Sequence, residues 1–103
     1  MILCDVNVLL FATRTDAERH DEYHAWVMQR LSGPEAFGVS DLVLSSVVRI
    51  ATNPRVYGAP STPAQAFEFA EVVRSAPSAV PVAPGPRHWY IFRDLCERVK
   101  AKG

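Results

Sequence analysis

Three short apolar segments, each followed by a longer stretch with helical spacing, constrain the fold of this chain more than any other feature. The segments are residues 2–4, 36–39 and 79–82, and each is expected to form a strand. Strands that alternate with helices in this way are typical of an α/β fold with a parallel sheet. Pro81 in the third segment favours a position near the edge of that sheet. A chain of 103 residues has room for one such domain.

Hydrophobic spacing and capping residues predict five helices. They are expected over residues 6–12, from the charged stretch 14–24 on to residue 31, over residues 41–52, from residue 63 past residue 73, and over residues 87–102. Ser40 is expected to cap the third helix, and Ser61 or Thr62 the fourth. The third helix is apolar on almost all sides, which predicts that it is buried. The last is expected to end at a C-capping Gly103 and to turn one face to the core, formed by Trp89, Phe92, Cys96 and Val99.

Charge and cysteine content exclude several classes of function. The 11 basic and 11 acidic side chains give a net charge of zero, which excludes a strongly basic nucleic-acid coat but not a local basic groove. Cys4 and Cys96 each lie in a predicted core element, and two isolated thiols suit a reducing compartment. No secretory signal and no apolar run of about 20 residues is visible. We therefore expect a cytoplasmic protein with no membrane contact.

Asp5 is the residue that points most directly to chemistry. It follows the first predicted strand, where burial of an unpaired carboxylate would be costly. The carboxyl ends of strands in open α/β sheets are also where ligands bind. A carboxylate there, with Asn7 close by, offers oxygen ligands that suit a hard divalent cation. The alternative is that Asp5 only caps the helix that follows.

Two histidines four residues apart, His20 and His24, have the spacing of a zinc site on a helix. Zinc proteases require a glutamate directly after the first histidine, and Asp21 occupies that position here. No third ligand is apparent in the sequence. An exposed helix face rich in charge therefore explains the pattern better than a zinc site does.

Three segments spread along the chain carry a resemblance to a known family. They are residues 5–10 (DVNVLL), 41–56 (DLVLSSVVRIATNPRV) and 85–89 (GPRHW). The first resembles the opening of a PIN domain, and the other two resemble the middle and the last-but-one helix of one branch of VapC-type toxins. The resemblance implies a PIN-like three-layer fold, with a small parallel sheet flanked by helices. It also implies an endoribonuclease that depends on Mg²⁺ or Mn²⁺, the toxin of a toxin–antitoxin pair.

The resemblance further implies a site built from acids in distant parts of the chain. Asp5 corresponds to the first acid. Many PIN domains have the second acid at the place that Ser46 fills here, so we assign it to Asp41, where this branch often has glutamate. Carboxylates of this kind hold a cation that lowers the pKa of a bound water. Asn7 is placed either to orient such a water or simply to start the helix.

Two arginines near the middle segment, Arg49 and Arg55, are expected to contact RNA phosphates. The alternatives are that Arg49 forms a salt bridge and that Arg55 is a solvated loop residue. For Asp41 the alternative is a first-turn carboxylate that interacts favourably with the helix dipole.

Family members of this kind continue past the last helix predicted here with another acid-bearing helix, a strand and a final acidic motif. On that comparison, residues 1–103 are expected to form a single partial PIN-like domain that lacks its C-terminal β-α portion. Asp94 does not correspond to a family acid. An open sheet edge is expected to leave the first and last helices without partners, so that these residues alone are marginally stable and inactive.

Two functions from different classes stay open at this point. The first is the ribonuclease toxin, whose expected partners are RNA, a cognate antitoxin protein that lies over the acidic site, and a second copy of the chain. The homodimer is expected to involve the apolar helices around Trp26 and residues 67–73. The second is a non-catalytic interaction module on the PIN scaffold, which Ser46 and the absence of later acids favour.

Overall fold

The computed structural model describes residues 1–103 and has three strands and five helices. In chain order the elements are β1 (Ile2–Leu3), α1 (Val6–Thr13), α2 (His20–Leu31), β2 (Phe37–Val39), α3 (Asp41–Ala51), α4 (Pro63–Arg74), β3 (Ala79–Pro81) and α5 (His88–Arg98). The three strands form one parallel sheet in the order β1-β2-β3. The prediction of an α/β, PIN-like fold with a small parallel sheet flanked by helices is confirmed.

The central strand β2 organises the sheet. Phe37, Gly38 and Val39 are all buried, although successive strand residues point to opposite faces, so β2 is covered on both sides. A Cβ atom at Gly38 would lie 3.1 Å from Cγ2 of Val82, which explains the glycine at this crowded position. β3 is an edge strand, as its proline predicted.

Capping side chains start α3 and α4 where the sequence indicates. The Ser40 hydroxyl accepts a backbone N–H of the first turn of α3 at 3.4 Å. Thr62 caps α4, and its reciprocal hydrogen bonds with Gln65 form a capping box. Ser61 lies one residue before this cap, and its hydroxyl accepts a hydrogen bond from Arg14.

The second helix begins later than the sequence predicts. The charged stretch after α1 is not a helix, and α2 starts only at His20. Arg19 occupies the N-cap with a φ of 60°, in the left-handed region that interrupts a helix. Arg14 turns inward and is buried instead of joining an exposed helical face.

Arg14 connects the end of α1 to the loop before α4. Its Nε and Nη2 donate to the two carboxylate oxygens of Asp16 at 2.9 and 2.6 Å. Its Nη1 donates to the backbone carbonyl of Ala59 at 2.9 Å and to the Ser61 hydroxyl at 3.2 Å. The guanidinium carbon lies 3.9 Å from the centre of the Tyr57 ring, within the range of a cation–π contact. No buried polar side-chain atom in the molecule lacks a partner.

The core lies between the sheet and helices α1–α4. Its largest fully buried side chains come from β2, α2, α3 and α4 and are Phe37, Val27, Val47 and Val73. α1 packs on α2 and α3, so the expectation that it lacks partners is wrong. The expectation that α3 is buried holds for its inner face, with Leu44, Val47 and Ala51, but not for its outer face, where Leu42 is 73% exposed. None of the helices is long and apolar enough to cross a membrane.

The last helix, α5, does not pack on the core. It has no buried residue, and Trp89 and Val99 are 65% and 72% exposed. The prediction that its apolar face points to the core is therefore wrong. Cys96 on this helix is only partly buried, in contrast to the buried Cys4. The radius of gyration, 15.5 Å, exceeds the roughly 13 Å of a compact chain of this length.

The C-terminal end of α5 is a Schellman motif centred on Lys100. Lys100 has a φ of 50°, and the N–H of Ala101 donates to the carbonyl of Cys96 at 2.9 Å. The prediction that Gly103 caps this helix is wrong, because the helix has already ended at Arg98.

Candidate functional site

Asp5 follows β1 and occupies the N-cap position of α1 with an extended backbone. Its side chain is exposed and makes no capping hydrogen bond. The position agrees with the capping alternative, but the carboxylate is not used for capping. It is therefore free to bind a ligand, and Asn7 is exposed in the first turn of the same helix.

Asp41 is the first residue of α3 and forms an ion pair with a side chain that the sequence did not indicate. Nε of Arg74, on α4, donates to Oδ1 of Asp41 at 3.1 Å. Nη1 of Arg74 also donates to Oε1 of Glu71 at 3.3 Å. The carboxylate of Asp41, with a further contribution from Glu71, raises the pKa of Arg74. The Arg74 guanidinium therefore keeps its positive charge at this site.

The sheet brings Asp5 and Asp41 to the same edge. β1 and β2 are adjacent parallel strands, with Leu3 paired to Gly38. Extending that register by two residues puts Asp5 level with Ser40, directly before Asp41, on strands about 4.8 Å apart. Both acids thus follow the carboxyl ends of neighbouring strands, where open α/β sheets bind their ligands.

A groove between α3 and α4 passes beside Asp41. We call it the α3–α4 groove; it consists of two adjoining parts, and Asp41, Glu71 and Arg74 line both of them. One part, of about 430 Å³, lies at the carboxyl ends of β2 and β3. The other, of about 490 Å³, runs along the two helices past Arg49 and Phe67.

Of the two arginines expected to contact RNA, only Arg49 lines the α3–α4 groove. Arg49 is exposed and lines the α3–α4 groove together with Asp41. Arg55 lies beyond the C-terminal end of α3, whereas Asp41 begins that helix of 11 residues, a span of about 16 Å. The Arg55 side chain is exposed, and only its backbone N–H is bonded, to Asn53 at 2.9 Å.

The acids at the sheet edge fit a cation that keeps much of its water. No three His, Cys, Asp or Glu side chains come together anywhere in the molecule. Ser46 occupies the position where many PIN domains have their second acid. It donates a hydrogen bond to the Leu42 carbonyl at 3.3 Å and adds no charge. Mg²⁺ commonly binds through one or two carboxylates, with waters and substrate phosphates filling its other positions. Asp5 and Asp41 suit that type of binding, and Asn7 offers an amide oxygen.

Sequence reasoning missed Arg74 and Glu71. Their spacing of three residues indicates an ion pair on one helix face, which the structure contains. Nothing in the sequence indicates that Arg74 also reaches Asp41, because the two residues are 33 positions apart.

The chain is similar to several bacterial ribonucleases. It is 42% identical to ribonuclease VapC25 of Mycobacterium tuberculosis over all 103 residues, which are 72% of the length of that protein. It is 37% identical to VapC ribonuclease Mb2897 of Mycobacterium bovis over the same 103 residues, 70% of that protein. It is 33% identical to ribonuclease VapC33 of M. tuberculosis over 99 residues, 96% of this chain and 69% of the relative. No family model matches the chain.

Proposed function

The chain belongs to the family of VapC ribonucleases, and on this premise we propose that it is the endoribonuclease toxin of a toxin–antitoxin pair. We further propose that it cleaves RNA with a divalent cation, Mg²⁺ or Mn²⁺, bound between Asp5 and Asp41. The observation that carries the proposal is the free carboxylate of Asp5 at the sheet edge where α3 begins with Asp41. An acid that served only as a cap would accept a backbone N–H of the first turn, and Asp5 accepts none.

Each residue of the proposed site has a separate task. Asp5 and Asp41 hold the cation through carboxylate oxygens, and Asn7 orients a water at the first turn of α1. When bound, the cation supplies a water of lowered pKa and positive charge for the phosphate oxygens. Arg74 and Arg49 line the α3–α4 groove and offer guanidinium groups to RNA phosphates, a contact that does not depend on base sequence.

The test of the site is the affinity of the chain for Mn²⁺, measured by calorimetry and by the electron paramagnetic resonance signal of free Mn²⁺. Asp5→Asn keeps the size of the side chain and removes its charge, so we expect at least a roughly tenfold loss of Mn²⁺ affinity with the fold intact. The matched control is Asp94→Asn on α5, outside the site, which should bind Mn²⁺ as the wild type does. Equal affinity in Asp5→Asn and wild type would contradict the proposed metal site.

RNA cleavage provides the second measurement. Asp5→Asn should abolish RNA cleavage and growth arrest, whereas Asp94→Asn should retain both. An Asp5→Asn protein that cuts RNA at the wild-type rate would refute the catalytic assignment, whatever its metal affinity.

Arg74 allows a test with two opposite outcomes. Its guanidinium occupies one oxygen of Asp41 and competes with a cation for that carboxylate. We therefore expect Arg74→Gln to bind Mn²⁺ up to a few-fold more tightly, because exposed ion pairs are weak competitors. The same variant should bind RNA more weakly, with a smaller dependence of affinity on salt. If both affinities fall together, Arg74 supports the position of Asp41 and does not compete for it.

A second candidate function is the non-catalytic interaction module. The absence of any cluster of three metal-binding side chains in this chain favours it. The same Mn²⁺ titration separates the two functions, since a module that does not use the cation shows no binding that depends on Asp5.

The proposed partners are an antitoxin protein that covers the acidic edge and a second copy of the chain. Exposed apolar side chains on α2 and α4, including Trp26, Phe67 and Val72, support a homodimer through these helices. Light scattering at high micromolar concentration tests this proposal. A monomer under those conditions contradicts it.

A further inference from the structure

The histidines at the start of α2 are bound to α1 and do not form a freely solvated face. Nδ1 of His20 lies 2.8 Å from the carbonyl oxygen of Phe11, and Nδ1 of His24 lies 3.0 Å from that of Ala12. These carbonyls belong to the last turn of α1, where the helix provides no partners for them. The expectation of an exposed, charged helix face holds for Asp21, Glu22 and His24, whereas His20 is partly buried. The contacts with α1 through Nδ1 of both rings were not expected.

These contacts fix the tautomer of both rings. A carbonyl oxygen can only accept a hydrogen bond, so each Nδ1 must carry the proton. In the neutral imidazole, Nε2 then has a free lone pair. His24 is exposed and His20 partly buried, and neither Nε2 atom is hydrogen-bonded to another group of the protein.

A ring that donates its Nδ1–H to a carbonyl and leaves Nε2 free has the arrangement typical of metal-binding histidines. Such histidines almost always donate their second ring N–H to a carbonyl or carboxylate, which fixes the ring orientation and makes the binding nitrogen more basic. The two rings of this chain have centres 5.4 Å apart. Two imidazoles that share a tetrahedral ion at about 2.1 Å from each nitrogen have ring centres roughly 5 Å apart. The observed separation of the ring centres is thus compatible with both rings binding one ion.

We propose that His20 and His24 form a two-imidazole site for a borderline-soft divalent cation, Zn²⁺ or Ni²⁺, with water in the remaining positions. Imidazole nitrogen suits these ions and not Mg²⁺, so the site is chemically distinct from the acidic edge at Asp5. No third protein ligand is present, which makes the site weak and open to water or to a ligand from another molecule.

Nitrogen NMR of the unmodified 103-residue chain tests the proposal directly, because it distinguishes Nδ1 from Nε2. Without metal, His20 and His24 should both show protonated Nδ1. On titration with Zn²⁺, their Nε2 resonances should shift together and reach an end point at one ion per chain, with His88 unaffected and Mg²⁺ without effect. Protonated Nε2 in either ring before metal is added, or a shift of one ring alone, overturns the proposal.

Asparagine variants separate metal binding from the structural role. The amide N–H of Asn can replace Nδ1–H as donor to the α1 carbonyl, but asparagine has no counterpart of Nε2. His20→Asn and His24→Asn should each lower Zn²⁺ affinity at least about tenfold. The control is His88→Asn, on α5, which should bind Zn²⁺ as the wild type does.

Cys96 is the main competing ligand for Zn²⁺, and a Cys96 variant separates binding by the thiol from binding by the histidines. Its thiol is only partly buried and is able to bind Zn²⁺ by itself. If Cys96→Ser abolishes zinc binding while the histidine variants retain it, the proposal is wrong. If a histidine variant does not fold, the titration of the wild-type chain still distinguishes the outcomes.

Discussion

Replacing Arg14 by methionine tests whether this buried arginine holds the chain between α3 and α4 in place. The side chain is 7% exposed, and methionine keeps much of its apolar stem. The substitution removes the hydrogen bonds to Ala59 and Ser61 and the contact with the Tyr57 ring. A hydrogen bond from a charged donor contributes about 1.5–3 kcal/mol and a cation–π contact about 0.5–2 kcal/mol.

These contributions predict that Arg14→Met lowers the free energy of unfolding by about 3.5 kcal/mol or more. For a domain of this size that corresponds to a fall in Tm of roughly 14 °C or more. Arg14→Lys keeps the charge but cannot make the same set of hydrogen bonds. Its free energy of unfolding should therefore lie between those of Arg14→Met and the wild type. The free energy of unfolding of both variants is measured by urea unfolding monitored by circular dichroism. Arg55→Lys, at an exposed position, is the control.

The pH dependence tests a further contact of Arg14, its ion pair with Asp16. The hydrogen bonds from Arg14 lower the pKa of Asp16 in the folded protein. A lowered pKa gives stability that is present above the ordinary carboxyl pKa and is lost as the pH falls through the folded value. The stability difference between wild type and Arg14→Met should therefore shrink as the pH falls from neutral into that acidic range. A difference under about 0.5 kcal/mol at neutral pH, the size of an ordinary surface substitution, would refute the reasoning.

Three further predictions follow from burial and capping. In urea unfolding, Phe37→Ala should lower the free energy of unfolding by about 3–5 kcal/mol. Phe67→Ala, which changes an exposed side chain, should alter it by only about 0.5 kcal/mol. Similar losses in the two variants would contradict the assigned core. Thr62→Ala should cost about 1 kcal/mol through loss of the capping box, and no change would mean that the cap is dispensable. Burial raises the pKa of the Cys4 thiol, so a disulfide reagent at pH 8 should label Cys96 in the folded chain and Cys4 only after unfolding; early labelling of Cys4 would contradict its burial.

The elements of the fold could be predicted because their signals are local. A cap and the first turn it closes lie within three residues of each other, as at Ser40 and Thr62. Strand positions and the edge position of β3 follow from short apolar segments and one proline. The same local pattern gave the wrong burial for α5, because an amphipathic face shows which side can be buried and not whether anything lies against it.

The candidate site was predictable only in part for the same reason. Asp5 and Asp41 are visible in the sequence as acids at strand ends and as positions that resemble a family motif. The ion pair of Asp41 with Arg74 is not visible, since neither residue type nor spacing links positions 33 residues apart.

The sequence by itself determined the order of strands and helices, the helix starts that depend on capping side chains, and the acids at the sheet edge. Only the tertiary structure decided the partners of the polar side chains: Arg14 with a carbonyl 45 residues away, Arg74 with Asp41, and His20 with the end of α1. Local preferences act over about one helical turn, whereas a buried or partly buried polar group must take whichever partner the packed chain brings within hydrogen-bond distance.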